Sequence, residues 1–475
     1  MQNEITTEPK QISFFTRIAW GCGGWADNWM FNVINYLFLF VYVDFFRMDP
    51  VTAGAALCVP RFLDAITDLY IGNFSDNLRS RWGRRRPLII AGTIGCAILL
   101  PLFFTPPFQN TMQNPWYSNG PFWFLSAIGC LYYGICYTLF VVPYTALGYE
   151  LGGNYDERTK VLAWRMYLGL AGQMIVPWVY KLSVNRSLFA NIQQGAIAVA
   201  FFASIAILIL GCIPGIFCKE NPAHQNHPQT HFFTAVKESF SSIPFLFILG
   251  SFVIVTAFFA AAGSLGSFVS LYVVCQGNNQ LNSKIVGYMG TLLSVTSVVS
   301  LLITTWVSRI LDKKWAYIGG LGIVALSQLS YCITLTPEHP YWQIYSVLLF
   351  GIAMQGCWLM LDSMLSDVCD VEEVRVGHRS EGMFSSVRGF IQKLSQGLMA
   401  IVSGIILKFS GFDATIAQTE GLSADVLFHM KFLAISIPFL GCILGIVAFY
   451  FYPITRAKAE EAHKILEQRK AEQLQ

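Results

Sequence analysis

Three ionisable residues lie within a stretch of apolar sequence, at a spacing that could hold a cation. Arg61, Asp64 and Asp68 follow one another at i, i+3 and i+7 in the segment between Val51 and Phe74. In a helix these three residues share one face. Two carboxylates one turn apart cannot both stay ionised in a low-dielectric site unless a cation lies nearby. The pattern therefore indicates a shared proton or bound Na⁺, with a structural salt bridge from Arg61 to one carboxylate as the alternative.

A second group of polar side chains lies in the preceding apolar segment, together with tryptophans. It comprises Trp25, Asp27, Asn28, Trp29, Asn32 and Asn35. A carboxylate beside amides and indoles suits a sugar, because hydroxyls donate to the acid and the amides while C–H faces lie on an aromatic ring. The alternative is an interfacial tryptophan belt with asparagines that pack between helices. The residues by themselves favour neither interpretation.

Further ionisable residues fall within apolar segments, where each charge costs roughly 2.5–3.5 kcal/mol on insertion scales and is a functional candidate by default. They are Arg165, Asp362, Arg388 and Lys393. We expect Lys393 to lie deeper in its segment than Arg388 and to pair with a substrate acid or another carboxylate. We expect Arg388 to stay near the adjoining loop and to pair with Glu381 or Asp370.

The composition indicates what kind of element must position these charges. Of the 475 residues, 12% are charged, 54% are hydrophobic and 15% are aromatic, and the mean hydropathy is +0.51. Because an ordinary soluble domain is about 25% charged, this composition excludes a disordered chain and a water-soluble multidomain enzyme and predicts a polytopic membrane protein. The net charge of +3 is too small to indicate nucleic-acid binding, and the twelve cysteines contain no C-x-x-C pair that would suggest a metal or redox site.

Apolar runs long enough for a membrane helix, which needs roughly 20 residues, predict an all-α integral membrane protein with twelve transmembrane helices. The predicted spans are Arg17–Val43, Val51–Phe74, Pro87–Phe104, Pro121–Leu147, Val161–Tyr180, Ile192–Phe217, Phe245–Val274, Val286–Val307, Ala316–Leu335, Tyr341–Leu361, Phe384–Leu407 and Phe432–Tyr452. Lysine and arginine are concentrated in the loops on one side, which the positive-inside rule places in the cytoplasm together with both termini.

A weak internal repeat predicts two six-helix halves. An acid precedes a basic cluster after span two, at Asp76 and Arg81–Arg86, and again after span eight, at Asp312 and Lys313–Lys314. A second echo relates the loop after span four to the loop after span ten. The first has Glu150, Asp156, Glu157, Arg158 and then Arg165, and the second has Asp367, Asp370, Arg379, Glu381 and then Arg388. Two parallel six-helix repeats are the layout of the major facilitator fold.

The predicted organisation has five parts. A cytoplasmic N-terminal segment covers residues 1–16, and bundles of six helices cover 17–217 and 243–453. A cytoplasmic central loop at 218–242 contains His224, His227 and His231, for which a polar linker is favoured over a metal site. The charged tail at 454–475 is predicted to be a solvated cytoplasmic helix.

Several motifs resemble the glycoside–pentoside–hexuronide:cation symporters, from about Gly21 to Pro453. They are Arg61-Phe-Leu-Asp64-Ala-Ile-Thr-Asp68 followed by Ser80-Arg-Trp-Gly-Arg84 and Pro87, Tyr137-Thr138 with Pro143-Tyr144, and Met364-Leu-Ser-Asp367-Val-Cys-Asp370 followed by Gly377-His-Arg379-Ser-Glu381-Gly382. The resemblance implies the major facilitator fold, alternating access, a monomer, and symport of sugars or glycosides with Na⁺, H⁺ or Li⁺. It implies no cofactor other than the coupling ion.

The resemblance also implies which residues form each site. The cation site would consist of Asp64, Thr67, Asp68 and Thr138, and Thr67 replaces the family's usual asparagine, which leaves Na⁺ and H⁺ open as the coupling ion. Asp27, Arg165, Trp358 and Lys393 would bind the substrate, and Asn28, Trp29 and Asn32 join them from the polar group described above. Apart from the resemblance, the charged loop clusters predict a cytoplasmic lock of acid–base pairs, made by Arg81, Arg84, Arg158, Asp367, Asp370, Arg379 and Glu381. Val141 and Thr145 replace a sugar-binding acid and tryptophan.

Other functions remain open on the sequence. Lysolipid symporters resemble the same family, so an amphipathic solute is an alternative substrate, although the polar residues of span one oppose a lipid site. A membrane enzyme such as a lipid-linked glycosyltransferase would need a large exposed loop or domain, and the longest loop here is short. A non-transporting sensor on the same fold is a further alternative. The compact loops and short tail favour a bacterial inner membrane.

Overall fold

The computed structural model describes residues 13–107, 115–151, 155–220, 240–376, 381–412 and 422–473. These residues are helical almost throughout, and no strand occurs among them. The chain divides into two compact units, Met1–His227 and Pro228–Gln475.

Among the described residues, the first unit contains six successive helices. They are α1 (Phe14–Leu39), α2 (Pro50–Asn77), α3 (Arg86–Leu102), α4 (Pro115–Gly129, Cys130–Tyr137 and Thr138–Leu151 in direct succession), α5 (Tyr155–Ser183) and α6 (Ile192–Phe217). The second unit contains α7 (Ile243–Phe268), α8 (Asn279–Ile310), α9 (Lys313–Thr334), α10 (Gln343–Val376), α11 (Glu381–Phe409), α12 (Ala424–Tyr450) and α13 (Arg456–Gln473). Within the part of the chain that the structure describes, three segments are π-helical, namely Phe40–Phe45 after α1, Cys130–Tyr137 inside α4 and Val269–Val274 after α7.

Each of the twelve predicted spans falls on one of the helices α1–α12. Within the described residues, six helical stretches are long and apolar enough to cross a membrane: Gly120–Gly148, Ile192–Phe217, Asn279–Ser308, Lys313–Thr334, Pro340–Arg375 and Ala424–Tyr450. The count of twelve membrane crossings stays a prediction. One predicted boundary is wrong, because Asp367 and Asp370 belong to a continuation of α10 to Val376 rather than to a loop. Val368 and Cys369 are buried in the core of the second unit and hold this continuation in place.

The structure contains a repeat that the sequence does not show. The turn after α1 has a positive φ of 59° at Arg47, and the turn after α7 has a positive φ of 50° at Gln276. The same pair of backbone hydrogen bonds closes both turns at 2.9 Å: Phe46 to Val41 and Met48 to Tyr42, then Cys275 to Ser270 and Gly277 to Leu271. Asp49 and Asn278 then cap the N-termini of α2 and α8. The two units therefore share a local design at corresponding turns.

The predicted acid–base loops tie helices together inside each unit. The carboxylate of Glu220, just after α6, accepts hydrogen bonds from the backbone N–H groups that begin α3: Arg84 at 3.0 Å, Arg85 at 2.8 Å and Arg86 at 3.2 Å. The Arg86 guanidinium donates in turn to the last carbonyls of α6, at Gly215 and Ile216. In the second unit Lys314 donates to the carbonyls of Tyr450 and Tyr452, at the end of α12, at 2.7 and 3.2 Å. These bonds satisfy backbone groups that helix ends leave without partners.

The tail forms the predicted helix, α13, but one of its faces is not solvated. Ala462 and Leu466 are buried, and Ala459 packs against the core of the second unit. These residues follow one another at i, i+3 and i+7, so they form an apolar stripe on an otherwise charged helix. The prediction of a fully solvated tail is therefore wrong for this face.

Candidate functional site

In the first unit, α1, α4 and α5 gather charged and phenolic groups around Asp27. The Arg165 guanidinium donates to Oδ2 of Asp27 at 3.0 Å, and the Tyr137 hydroxyl donates to Oδ1 at 2.9 Å. Arg165 also lies over the ring of Tyr144, 5.2 Å from its centroid. The side chains of Arg165 and Asp27 stay 27% and 19% exposed. The pair can therefore bind a polar solute, whose hydroxyls would find both an acceptor and donors there.

Small residues allow α1 and α5 to approach closely enough to form this pair. A Cβ atom added to Gly24 would lie 2.6 Å from the carbonyl oxygen of Arg165 and 2.8 Å from its Cγ. A Cβ on Gly172 would touch the ring of Trp25 at 3.0 Å. Close packing through glycine is a common way for membrane helices to associate. The position of Arg165 thus depends on the absence of a side chain at Gly24.

Replacing Gly24 with alanine is expected to displace Arg165 and to weaken both stability and substrate binding. Overpacking of this kind costs typically 1–3 kcal/mol. Gly250→Ala in α7 is the matched control, since nothing lies within 4 Å of a Cβ there. The thermal unfolding midpoint and the substrate dissociation constant of the purified protein would be measured. Equal behaviour of the two variants would contradict the expectation.

A second cluster lies between α2 and α4. Asp64 is 1% exposed and Thr138 is fully buried, and the Thr138 hydroxyl lies 2.8 Å from Oδ1 of Asp64, within donating distance. The same hydroxyl lies 2.9 Å from the carbonyl oxygen of Tyr133, and the hydroxyl oxygens of Thr67 and Thr138 are 3.5 Å apart. Asp68, one helical turn after Asp64, is half-buried. These groups supply oxygen ligands, which hard cations prefer.

The third charged residue of α2 lies between two aromatic rings. The Arg61 guanidinium is 3.8 Å from the ring centroid of Tyr133 on α4 and 4.4 Å from that of Phe31 on α1. Arg61 is buried, and a cation over aromatic faces is stabilised by the negative potential of the rings. The structure thus gives Arg61 an aromatic environment that the spacing of α2 alone does not indicate.

The π-helical segment of α4 connects the two clusters. Tyr137 is its last residue and Thr138 follows it directly. These neighbours contact the carboxylates of Asp27 and Asp64, respectively. π-helical turns inside α-helices occur frequently at functional sites. Sequence reasoning missed the role of Tyr137, although the residue stands beside Thr138 in a motif that it had noted.

Replacing Thr138 with valine is expected to weaken cation binding about tenfold. Valine keeps the shape of the side chain but removes the hydroxyl that contacts Asp64, and a hydrogen bond to a charged group is worth about 1.5–3 kcal/mol. Cation affinity would be measured by isothermal titration of the purified protein without substrate. Thr138→Ser, which retains the hydroxyl, serves as the control and should lose much less. A wild-type affinity in Thr138→Val would exclude the hydroxyl as a ligand.

The remaining candidates on α1 use their polar groups in packing. The indole N–H of Trp29 donates to the carbonyl of Gly172 on α5 at 2.9 Å. The amide of Asn32 donates to the carbonyl oxygen and to Oδ1 of Asn28, at 3.1 and 3.3 Å. These bonds agree with the helix-packing alternative, and a substrate role for the three residues stays a prediction.

The second unit holds the other substrate candidates on α10 and α11. Trp358 packs against Phe252, with ring centroids 5.1 Å apart, and Lys393 is half-buried. Arg388 forms an ion pair with Asp362. Asp362 is a partner that the sequence analysis did not predict for Arg388; of the predicted partners, the side chain of Glu381 lies outside the described residues, and pairing with Glu381 or Asp370 stays a prediction. Asp362 lies earlier on α10 than Asp367 and Asp370, and the neighbouring helix α11 brings Arg388 to it.

Two of the predicted lock residues, Asp367 and Arg84, have described partners inside their own units. Lys313 lies 2.7 Å from both oxygens of Asp367, and Arg84 Nε is 3.8 Å from Glu220. Arg81 is exposed and Asp370 is half-buried. Arg379, the side chains of Arg158 and Glu381, and the three histidines of the central loop lie outside the described residues. Glu220 was missed because a lone acid after an apolar span carries no recognisable signal.

The apolar helices, together with the family and the solved structures that the chain resembles, identify a multi-pass membrane protein with the major facilitator fold. A solved D-xylose–proton symporter matches the chain with a TM-score of 0.62 at 16% identity, covering 93% of this chain and 98% of the other. The chain belongs to the family described as MFS/sugar transport protein, whose model matches residues 19–456. It is therefore a membrane transporter and not an enzyme, and a coupling ion would be one of its substrates rather than a cofactor.

The relatives that match nearly the whole chain include the following three. A putative glycoside/cation symporter and a glucuronide carrier protein homolog, both of Escherichia coli strain K12, are each 23% identical over 98% of this chain and cover 97% and 98% of their own lengths. A sodium-dependent lysophosphatidylcholine symporter of Mus musculus is 24% identical over 98% of this chain and 90% of its own.

Proposed function

We propose that the protein is a secondary active symporter that couples uptake of a sugar, glycoside or hexuronide to Na⁺ or H⁺ by alternating access. The observation that carries this proposal is the pair of adjacent residues Tyr137 and Thr138, which contact the carboxylates of Asp27 and Asp64. A cation at one carboxylate and a polar solute at the other would act on the same segment of α4. The names of the E. coli relatives support the substrate class.

The proposed coupling mechanism follows from the charges of the cation-site and substrate-site residues. A cation bound by Asp64, Thr67, Asp68 and Thr138 neutralises two buried carboxylates that would otherwise repel each other. The substrate then binds to Asp27 and Arg165 in the first unit. Trp358 and Lys393 are the substrate residues proposed in the second unit. Acid–base pairs close the cytoplasmic side. The residues proposed for these pairs are Arg81, Arg84, Arg158, Asp367, Asp370, Arg379 and Glu381. One charge moving across 100 mV provides about 2.3 kcal/mol.

A lysolipid is the second candidate substrate, because the mouse relative is a lysophosphatidylcholine symporter. The partly exposed ion pair of Asp27 and Arg165 favours the sugar, since a charged pair would leave a hydrocarbon tail without apolar contacts. A non-transporting sensor is the third candidate function, and it would be favoured if the protein transports no solute.

The proposed setting is a bacterial inner membrane, with both termini in the cytoplasm and a monomer as the working unit. Six-helix bundles at 17–217 and 243–453 are joined by the central loop at 218–242. The apolar helices support residence in the bilayer, and the positive charges of the loops support the orientation.

Uptake into proteoliposomes tests the proposal. Purified protein would be reconstituted and offered a panel of glycosides, pentosides and hexuronides, with a Na⁺ gradient and a pH gradient imposed separately at an inside-negative potential. We expect one sugar class to accumulate under one of the gradients. If no sugar moves under either gradient while a lysolipid does, the sugar proposal is wrong; if nothing moves, symport itself is wrong.

A further inference from the structure

A charged pair in the second unit has no role in the function proposed so far. Arg388 on α11 donates to Asp362 on α10, and its guanidinium lies over the ring of Phe252, 5.0 Å from the centroid. Phe252 packs in turn against Trp358, which precedes Asp362 by one helical turn. The pair and an aromatic surface therefore occupy one short stretch of α10 and its neighbours.

Stability alone does not account for this pair. The Asp362 side chain is 53% exposed, whereas that of Arg388 is 19% exposed. An ion pair with so open a partner adds little to stability, and charges within apolar helices are costly unless they serve a function. The Nε of Arg388 is buried and donates to no oxygen among the described residues. The pair thus keeps an open acceptor and an unused donor.

The first unit contains the same combination of groups. Asp27 pairs with Arg165, and the Arg165 guanidinium lies over the ring of Tyr144. In both units a partly open carboxylate on one helix meets a guanidinium on another, and an aromatic ring lies beneath the guanidinium. Arg165 on α5 and Arg388 on α11 are also the two arginines that the internal repeat of the sequence relates. The first pair belongs to the proposed substrate site, which suggests a matching role for the second.

We propose that Asp362 and Arg388 form a sugar-binding site of the second unit, beside Trp358; this inference rests on the proposed sugar transport. The open oxygen of Asp362 accepts a hydrogen bond from a substrate hydroxyl, and Arg388 holds the carboxylate in place. The ring of Trp358 lies one turn away and offers a face to the C–H groups of the sugar. Because the accessible group is an acceptor, the part of the substrate bound here is uncharged and hydroxylated rather than a carboxylate.

Two substitutions test this assignment in the full-length protein. Asp362→Asn and Arg388→Gln are each expected to raise the KM for the transported sugar, and its dissociation constant, about tenfold or more, the size of a lost charge-assisted hydrogen bond. Cation affinity measured without sugar should stay at the wild-type value, because the proposed cation ligands lie in the first unit. The probe is the sugar identified by the uptake panel.

Matched controls separate binding from structure. Arg375→Gln removes another ion pair of α10, between Arg375 and Glu372 at 2.7 Å, and should leave the KM unchanged. The double variant Asp362→Arg with Arg388→Asp restores an ion pair but moves the carboxylate to α11. If the pair serves only the structure, the double variant should recover the wild-type KM; if Asp362 binds the sugar, the KM should stay raised.

Three outcomes would overturn the assignment: a lower Vmax with an unchanged KM, full rescue by the double variant, or an equal effect of Arg375→Gln. Failure of the underlying function is distinguishable, since wild-type protein would then move no sugar under either gradient.

Discussion

Replacing Asp64 with asparagine is expected to abolish cation-driven accumulation while leaving downhill flux of the substrate. Asp64 is almost completely buried and contacts the Thr138 hydroxyl. An amide keeps the shape and that contact but removes the negative charge that attracts the cation, so the cation gradient no longer drives transport. At 100 mV one coupled charge supports roughly 50-fold accumulation, and the variant should reach only equal concentrations on both sides. The measurement is the steady-state ratio in proteoliposomes.

Asp49→Asn is the matched control for this prediction. Asp49 begins the same helix, where its side chain accepts a hydrogen bond from the backbone N–H of Thr52 at 2.9 Å. Asparagine caps a helix N-terminus about as well as aspartate, so accumulation should remain at the wild-type ratio. Undiminished accumulation in Asp64→Asn would remove Asp64 from the cation site.

Replacing Asp27 with asparagine is expected to lower substrate affinity about 100-fold while cation binding persists. The carboxylate accepts bonds from both Arg165 and Tyr137, and losing it leaves the guanidinium without its ionised partner. Hydrogen bonds to charged groups are worth about 1.5–3 kcal/mol each, and the amide also presents a donor where the substrate needs an acceptor. Isothermal titration with the transported sugar at saturating cation gives the dissociation constant.

Two further measurements make this prediction specific. Glu460→Gln breaks an exposed ion pair on α13, where Arg456 lies 2.8 Å from Glu460, and should change neither affinity. Retained cation binding by Asp27→Asn would show that the variant is folded. Should the variant bind sugar as tightly as the wild type, Asp27 would lie outside the substrate site.

The sequence by itself determined where the helical segments lie and which charged residues share one face of α2. Apolar runs of membrane length are a local property, so each of the twelve predicted spans falls on one of the helices α1–α12, while the number of membrane crossings stays a prediction. The alignment of Arg61, Asp64 and Asp68 follows from helical periodicity alone. The motifs around these residues also indicated the family to which the chain belongs.

The charges along the sequence predicted the end of α10 and the solvent exposure of α13 less well. Asp367 and Asp370 were predicted to lie in the loop after span ten. The helix α10 continues through both residues, because Val368 and Cys369 between them are buried in the core of the second unit. The charges of α13 masked the short apolar stripe that packs against the core.

Only the tertiary structure decided which groups meet. Tyr137 contacts Asp27, Thr138 contacts Asp64, and Arg388 pairs with Asp362, a partner that was not predicted. These partners lie on different helices, and their contact depends on which helices are neighbours and how each is rotated. Helical periodicity specifies the face of one helix but carries no information about the helix that it faces, so these contacts cannot be read from the sequence.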